Sequence, residues 1–304
     1  MPFDKVDDKA SADVGETVHY TITGKVPDTT GFTSYTYLIT DTMSEGLTFK
    51  KDVKVTEGGA DVSSACTITY DVDGNANKFT VSIPVKDYTI GDEIKVTYSA
   101  VVNEKAVAKI GKNRATLTYS NDPTDSSKTT TTPADEEKVY SSKIVIDKYK
   151  TGEESTKLAG ATFVLYKEVT TGEGEAAVTS KLYYKWNDSD KKVEWVENKD
   201  EATSKTTDDS GAASFDGLAD GTYYLEETAA PAGYNLLKEP VKVEVKGGTT
   251  ETELSVTASV ANNTGTELPS TGGMGTTIFY VLGSVLVLAA VVLLVTKKRM
   301  SVKD

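Results

Sequence analysis

Residues 17–23, TVHYTIT, indicate the fold of the first part of the chain. Val18, Tyr20 and Ile22 alternate with more polar residues, the pattern of a β-strand with one face on a core. Similar segments occur at 35–40, 79–83, 94–98 and 115–119, separated by turn-forming residues. Short strands at this spacing predict an immunoglobulin-like β-sandwich over residues 1–122.

A second series of strand patterns begins at residue 142. Its members are 143–148, 161–167, 182–186, 193–196, 221–227, 240–245 and 253–261. We expect Trp186 and Trp195 to pack against each other across a hairpin. The acidic, Ser/Thr/Pro-rich residues 123–141 read as a linker. The fold class is therefore all-β, with two tandem Ig-like sandwiches at 1–122 and 142–264.

Composition excludes several functional classes. The 304 residues carry a formal net charge of −13, which argues against nucleic-acid binding because that requires a basic face. Cys66 and His19 are the single cysteine and the single histidine. An intramolecular disulfide and a His- or Cys-rich metal site are therefore excluded, and we predict no cofactor and no metal.

The C-terminal region predicts a membrane-spanning segment. Residues 278–295, IFYVLGSVLVLAAVVLLV, contain no charge, and flanking threonines extend the predicted transmembrane helix to 276–296. The basic tail 297–304 begins with KKR, which places the end of the chain in the cytoplasm by the positive-inside rule.

A pentapeptide precedes this helix: Leu268, Pro269, Ser270, Thr271 and Gly272. An LPxTG sequence, an apolar helix and a basic tail in this order resemble the cell-wall sorting signal of Gram-positive surface proteins, here over 265–304. The resemblance implies that a sortase cleaves after Thr271 and passes its carbonyl to an amine of peptidoglycan or of a neighbouring pilin subunit. The protein would contact the membrane only before sorting and then remain anchored to the cell wall.

The N-terminal residues MPFDKVDDKA lack the apolar core of a signal peptide. Because a sorting signal requires export, we expect a signal peptide and further residues upstream of this sequence.

The second domain contains YYLEETAAPAGY at 223–234 and KIVIDKYKTGEESTKLAGATFVL at 143–165. Both stretches resemble collagen-adhesin B-type pilin domains, the first of them matching the E-box. The resemblance implies an amide bond between a first-strand Lys and a last-strand Asn, promoted by the E-box acid. Burial would favour a neutral, nucleophilic amine and a protonated carboxyl group.

Strand alternation then selects the residues of this predicted isopeptide bond. Lys148 continues the apolar face of Ile144 and Ile146, and Asn262 continues that of the last strand. Glu227 aligns with the E-box acid. Lys143 and Asn263 remain alternatives as crosslinking residues.

The first domain contains VGETVHYTITGKVPD at 14–28, YLITDTMSEGLTF at 37–49 and KNRATLTYSNDP at 112–123. These stretches resemble the isopeptide-forming domain of Gram-positive pilins. The resemblance implies Lys5 as the nucleophile, Asp41 as the promoting acid and Asn113 as the acceptor, with Lys9 as the rival nucleophile.

These features predict a wall-anchored structural subunit of a pilus or fimbria, and not an enzyme beyond its own crosslinking. Polymerising pilins also carry a lysine motif upstream of the first domain, which we expect in the preceding residues. The alternative is a monomeric wall-anchored adhesin or basal pilin that binds a host ligand. A surface-anchored enzyme is disfavoured because the sequence contains no other catalytic constellation.

Overall fold

The computed structural model describes residues 1–172, 174, 177–248 and 250–265, and it confirms the all-β class. Alternation determines which side chains are buried. Strand β2 (Thr17–Lys25) buries Val18, Tyr20 and Ile22, as its sequence predicts. Every second residue of β3 (Tyr37–Met43) is likewise buried. Each of these strands therefore has one face on the core.

The remaining elements of the described residues have the following bounds. Before residue 122 lie β1 (Phe3–Asp7), β4 (Leu47–Phe49), β5 (Lys54–Glu57), β6 (Ala60–Asp61), β7 (Thr67–Tyr70), β8 (Lys78–Ser82), β9 (Glu93–Val102) and β10 (Lys109–Ser120). After it lie β11 (Thr129–Thr131), β12 (Asp135–Lys150), β13 (Glu153–Lys157), β14 (Thr162–Thr171), β15 (Val178–Asn187), β16 (Lys192–Val196), β17 (Lys205–Thr206), β18 (Ala212–Leu218), β19 (Gly221–Ala229), β20 (Val241–Val245) and β21 (Ser255–Asn262). Short 3₁₀ turns occupy Ser63–Ala65, Val72–Gly74, Val85–Asp87, Glu104–Ala106, Lys199–Glu201 and Glu251–Leu254.

The first sandwich consists of two antiparallel layers. One has the order β1-β2-β9-β5-β6, with β4 beside β9, and the other contains β7, β8, β3, β10, β11 and the start of β12. Aromatic rings from both layers meet between them. Phe79 of β8 stacks on Phe49 at a centroid distance of 4.8 Å and contacts Tyr98 of β9 edge-on at 4.8 Å.

The second sandwich has one layer formed by the end of β12 with β13, β18 and β21, and another with the order β16-β15-β14-β19-β20. Phe163, Phe215 and Leu225 are fully buried in its core. Strand β21 pairs with β12 in parallel, from Ser255 beside Lys143 to Asn262 beside Lys150. The first and last strands of this sandwich are therefore neighbours.

Strand β12 belongs to both sandwiches. Its residues 135–141 pair with β10, and its residues 142–147 pair with β18. Much of the stretch predicted as a linker, residues 129–131 and 135–141, therefore lies in strands. The Ser/Thr/Pro-rich composition of this stretch predicted a linker. Its threonines and its valine, however, are residues that favour the extended backbone of a strand. The chain passes from one sandwich to the other within a continuous strand.

Trp195 packs differently from the expectation that it would contact Trp186. The β15–β16 register places it opposite Tyr184, and its ring stacks on Tyr223 with centroids 5.7 Å apart. Its Nε1 donates a hydrogen bond of 2.7 Å to the buried carboxylate of Asp13, from the first sandwich. This contact draws the tryptophan towards the joint between the two sandwiches and away from its hairpin partner.

Residues 266–304 of the predicted sorting signal lie outside the described residues, including the pentapeptide 268–272, the transmembrane helix 276–296 and the basic tail 297–304. Within the described part of the chain, no helix has the length and apolar character required to span a membrane.

Candidate functional site

The first candidate site lies between the two layers of the first sandwich. Lys5 comes from β1 in one layer, whereas Asp41 of β3 and Asn113 of β10 come from the other. Asp41 faces Ala115 and Asn113 faces Met43 in the β3–β10 pairing, which makes the acid and the amide diagonal neighbours on one face. All three side chains are buried, with at most 1% of their surface exposed. Three predicted residues thus meet in the core.

Hydrogen bonds connect the members of this site through a fourth residue. Lys5 Nζ donates to Asp41 Oδ2 at 2.5 Å. The hydroxyl group of Tyr98, on β9, donates to the same oxygen at 2.6 Å and accepts from Asn113 Nδ2 at 3.1 Å. The amine, the acid, the phenol and the amide therefore form a continuous chain.

Burial sets the protonation of the first site. Desolvation lowers the pKa of Lys5, although the attraction of Asp41 opposes this shift. Desolvation raises the pKa of Asp41, against the opposing attraction of Lys5. Both shifts favour a neutral pair with the proton on the carboxyl group. Asp41 Oδ1 and Asn113 Oδ1 are buried without a hydrogen-bond partner among the described residues, so a proton on the acid would convert one acceptor into a donor.

The second candidate site lies between the layers of the second sandwich, with a different distribution of residues. Lys148 of β12 and Asn262 of β21 lie on adjacent parallel strands, where Lys148 faces Val260. Glu227 comes from β19 in the opposite layer. The exposed fractions are 0% for Lys148, 1% for Asn262 and 5% for Glu227.

Direct contacts connect all three residues of this second site. Lys148 Nζ donates to Asn262 Oδ1, and it lies 3.6 Å from Glu227 Oε1. Asn262 Nδ2 donates to both Glu227 oxygens, at 3.0 and 3.1 Å. The backbone N–H of Leu237 fixes the carboxylate by donating to Oε2 at 2.8 Å. Desolvation lowers the pKa of Lys148 to about 8, although the negative charge of Glu227 opposes this shift.

The alternative residues occupy different environments. Lys9 is about one-third exposed, and its Nζ lies 3.7 Å from Glu16 Oε2. Lys143 is half-buried beside Ser255, and Asn263 is exposed. None of these three alternatives has the full burial of Lys5, Lys148 and Asn262.

Sequence reasoning missed Tyr98 and the backbone contact from Leu237. Alternation of Ile94, Val96 and Tyr98 along β9 does indicate that the tyrosine faces the core. Its hydroxyl group, however, meets Asp41 and Asn113 only because β9 packs across from β3 and β10, a tertiary relation that local pattern does not contain.

The two sites share the same three kinds of functional group. Each places a primary amine, a carboxamide and a carboxyl group together in an apolar core. Within the described ranges, no group of three or more His, Cys, Asp and Glu side chains is arranged to hold a metal ion.

Two family models match the second half of the chain. Residues 142–259 match the SpaA family, described as a prealbumin-like fold domain, and residues 261–301 match the LPXTG cell wall anchor motif.

Individual proteins extend the similarity across the first domain. The chain is 26% identical to the trypsin-resistant surface T6 protein of Streptococcus pyogenes serotype M6, over 96% of this chain and 66% of that protein. It is 30% identical to fimbrial subunit type 1 of Actinomyces viscosus, over 52% of this chain and 32% of that protein. The chain thus spans just under two thirds of the first relative and about one third of the second.

Solved structures resemble both sandwiches. The group B streptococcus pilus 2b backbone protein superposes with a TM-score of 0.65 at 29% identity, covering 88% of this chain and 99% of that one. The pilus backbone RrgB of Streptococcus pneumoniae has the same fold at 17% identity, with a TM-score of 0.63 over 86% of this chain and 99% of that one. These similarities and the anchor motif identify the chain as a Gram-positive, LPXTG-anchored surface protein of the pilin class, attached to the cell wall.

Proposed function

We propose that each buried site forms an intramolecular Lys–Asn isopeptide bond, as the resemblance implies. The observation that carries this proposal is the second site, where the Lys148 amine contacts the Asn262 carboxamide and Glu227 binds the same amide. Contacts among an amine, a carboxamide and a carboxyl group in a buried environment support amide formation here, because proximity and a positioned acid or base both accelerate such a reaction.

The reaction at the second site is a transamidation. The electron pair of Lys148 Nζ attacks Cγ of Asn262, the Nζ–Cγ bond forms, and the bond from Cγ to Nδ2 breaks. Glu227 accepts a proton from the attacking amine and returns one to Nδ2, which leaves as ammonia. The reactants are an amine and a primary amide, and the products are a secondary amide and ammonia. The atoms balance, and the reaction requires no cofactor.

The first site would undergo the same reaction, with Lys5 attacking Asn113 and Asp41 as the acid. The neutral protonation state favoured by burial supports this assignment, because a protonated lysine has no electron pair for attack. Lys5 is preferred over Lys9 because only Lys5 contacts the acid.

The two bonds would carry load differently. A bond between β12 and β21 would join neighbouring strands at the beginning and end of the second sandwich, whereas a bond between β1 and β10 would join the two layers of the first. Tension would pass from Lys5 to Asn113, along the chain to Lys148 and across to Asn262. This path supports a structural role in a fibre under mechanical stress.

We therefore propose that the chain is a pilus backbone subunit, which a sortase joins through Thr271 to another subunit or to peptidoglycan. The group B streptococcus backbone protein at 29% identity, the T6 protein and the fimbrial subunit support this role. The second candidate, a singly anchored adhesin or basal pilin, is supported by the anchor motif alone.

Cell-wall extracts distinguish these two roles. We expect an SDS-resistant ladder of covalent multimers in cells that produce the protein with its native upstream residues, and loss of the ladder in a Thr271→Ala variant. Thr264→Ala, outside the pentapeptide, is the matched control and should retain the ladder. A single wall-linked species of one size would instead favour the adhesin or basal role.

The crosslinking rate of the second site should increase with pH. Because burial lowers the pKa of Lys148 to about 8, the ammonium form predominates below that pH and the nucleophilic amine above it. Between about pH 6 and about pH 8 the rate should rise roughly tenfold per pH unit and then level off. Ammonia loss by an Asn113→Ala chain, in which only the second site can react, measures this profile. A rate that decreases over this range would contradict the role of Lys148.

A further inference from the structure

The hydroxyl group of Tyr98 lies between the acid and the amide of the first site. It donates to Asp41 Oδ2 at 2.6 Å and accepts from Asn113 Nδ2 at 3.1 Å. The side chain is 3% exposed, and its ring stacks on Tyr20 at a centroid distance of 5.4 Å and contacts Phe79 edge-on at 4.8 Å. The hydroxyl group is thus held at the nitrogen that would leave during crosslinking.

The second site has a different arrangement. There, Glu227 itself accepts from Asn262 Nδ2, at 3.0 and 3.1 Å, with no intervening group. Two fully buried tyrosines of that sandwich direct their hydroxyl groups elsewhere, since Tyr184 donates to the Asp216 carbonyl and Tyr223 to the Ala219 carbonyl. The first site has an aspartate, one methylene shorter, and a phenol connects it to the amide.

We propose that Tyr98 is a catalytic residue of the first site, whose hydroxyl group relays a proton from Asp41 to the nitrogen leaving Asn113. This inference rests on the isopeptide bond proposed above and adds a step that the second site performs without a tyrosine.

The relay balances protons at each atom. The neutral Lys5 Nζ attacks Cγ of Asn113, which makes that carbon tetrahedral and gives Nδ2 an electron pair. Tyr98 transfers its own proton to Nδ2 and receives the proton of the Asp41 carboxyl group, so its hydrogen bonds to Asp41 Oδ2 and Nδ2 reverse direction. The resulting Asp41 carboxylate then takes the surplus proton of Nζ, with which it is in contact. The bond from Cγ to Nδ2 then breaks and ammonia departs. Tyr98 and Asp41 end in the protonation states in which they began.

A relay requires a hydroxyl group that keeps its proton until the reaction. Desolvation by burial and the neighbouring Asp41 raise the pKa of Tyr98 well above its ordinary value, so the phenol stays neutral. The surrounding rings restrict its position, and no solvent competes for its hydrogen bonds.

The test measures the first site alone, in the full 304-residue chain carrying Asn262→Ala. Cell-free translation in detergent, followed by intact-mass measurements at intervals, gives the rate at which one ammonia is lost. Adding Tyr98→Phe should slow this loss by about 100-fold, the lower end of what general acid–base catalysis contributes. Loss at the parent rate would overturn the proposal.

The control is Tyr37→Phe, which removes another buried phenol hydroxyl from the same sandwich. That group has no hydrogen-bond partner within the described residues, so the parent rate should persist. If the Asn262→Ala parent itself loses no ammonia, the first-site crosslink proposed above fails, and the relay fails with it. If the Asn262→Ala parent loses ammonia and the added Tyr98→Phe replacement leaves that rate unchanged, the relay is contradicted but the first-site crosslink is not.

A second replacement keeps the test decisive if Tyr98→Phe disturbs folding. Incorporation of 3-fluorotyrosine at position 98 retains the ring and the hydroxyl group but makes the phenol more acidic. A proton donor should then act several-fold faster at the first site, whereas a hydroxyl group that only fills space would leave the rate unchanged. An unchanged rate contradicts the relay.

Discussion

An Asn262→Ala chain is expected to lose the crosslink of the second domain and about 4–5 kcal/mol of its free energy of unfolding. The figure follows, by analogy with disulfides, from closing a loop of about 110 residues in the unfolded chain. The loss of the buried hydrogen bonds between Asn262 and Glu227 adds to it. Denaturant unfolding of the full chain, together with resistance to trypsin, measures the change.

Two further variants distinguish the stability lost with the crosslink from the stability lost with the Asn262 side chain. Asn263→Ala alters the adjacent, exposed asparagine and should leave both the bond and the stability intact. Lys148→Met removes the nucleophile while keeping an apolar stem, and should lower stability by a similar amount to Asn262→Ala. If Asn262→Ala unfolds at the same denaturant concentration as the parent, no crosslink stabilises this domain.

Glu227→Gln is expected to slow crosslinking at the second site by about 10²- to 10⁴-fold, the contribution of a positioned general acid and base. Glutamine has the same shape and can keep a hydrogen bond from the backbone N–H of Leu237, which Glu227 accepts at 2.8 Å. It cannot, however, accept the proton of Lys148 or return one to Asn262. Ammonia loss in an Asn113→Ala background isolates this rate.

The matched control is Glu226→Gln on the same strand. Glu226 faces away from the core and binds Lys199 Nζ at 2.6 Å, so its replacement should leave the crosslinking rate unchanged. If Glu227→Gln crosslinks as rapidly as the parent, the E-box acid does not promote the reaction.

The sequence contained most of what is needed to find the strands. Alternation assigned Val18, Tyr20 and Ile22 to a buried face, and the structure confirms that assignment. The same rule put Lys148 and Asn262 on apolar faces, and both side chains are buried. Both predictions were possible for the same reason. Side chains alternate between the two faces of a strand, so the residues that share a face can be found from that strand alone.

Relations between strands were not available from the sequence. Alternation does not tell which layer a strand joins, so it could not predict that Lys5 lies opposite Asp41 and Asn113 while Lys148 lies next to Asn262. It also gave no reason to connect Tyr98 with Asn113. The prediction of a linker over 123–141 was wrong for residues 135–141, because an acidic stretch next to a Thr/Pro-rich segment is equally compatible with a linker and with a strand.

Intact mass of the full chain tests whether the two isopeptide bonds form, because each bond releases one ammonia. The expected mass is that of the sequence less two ammonia molecules. In the Asn113→Ala variant and in the Asn262→Ala variant the mass deficit should be one ammonia, and in the double variant there should be no deficit. A folded chain whose mass equals that of the unmodified sequence would show that neither Lys–Asn bond forms.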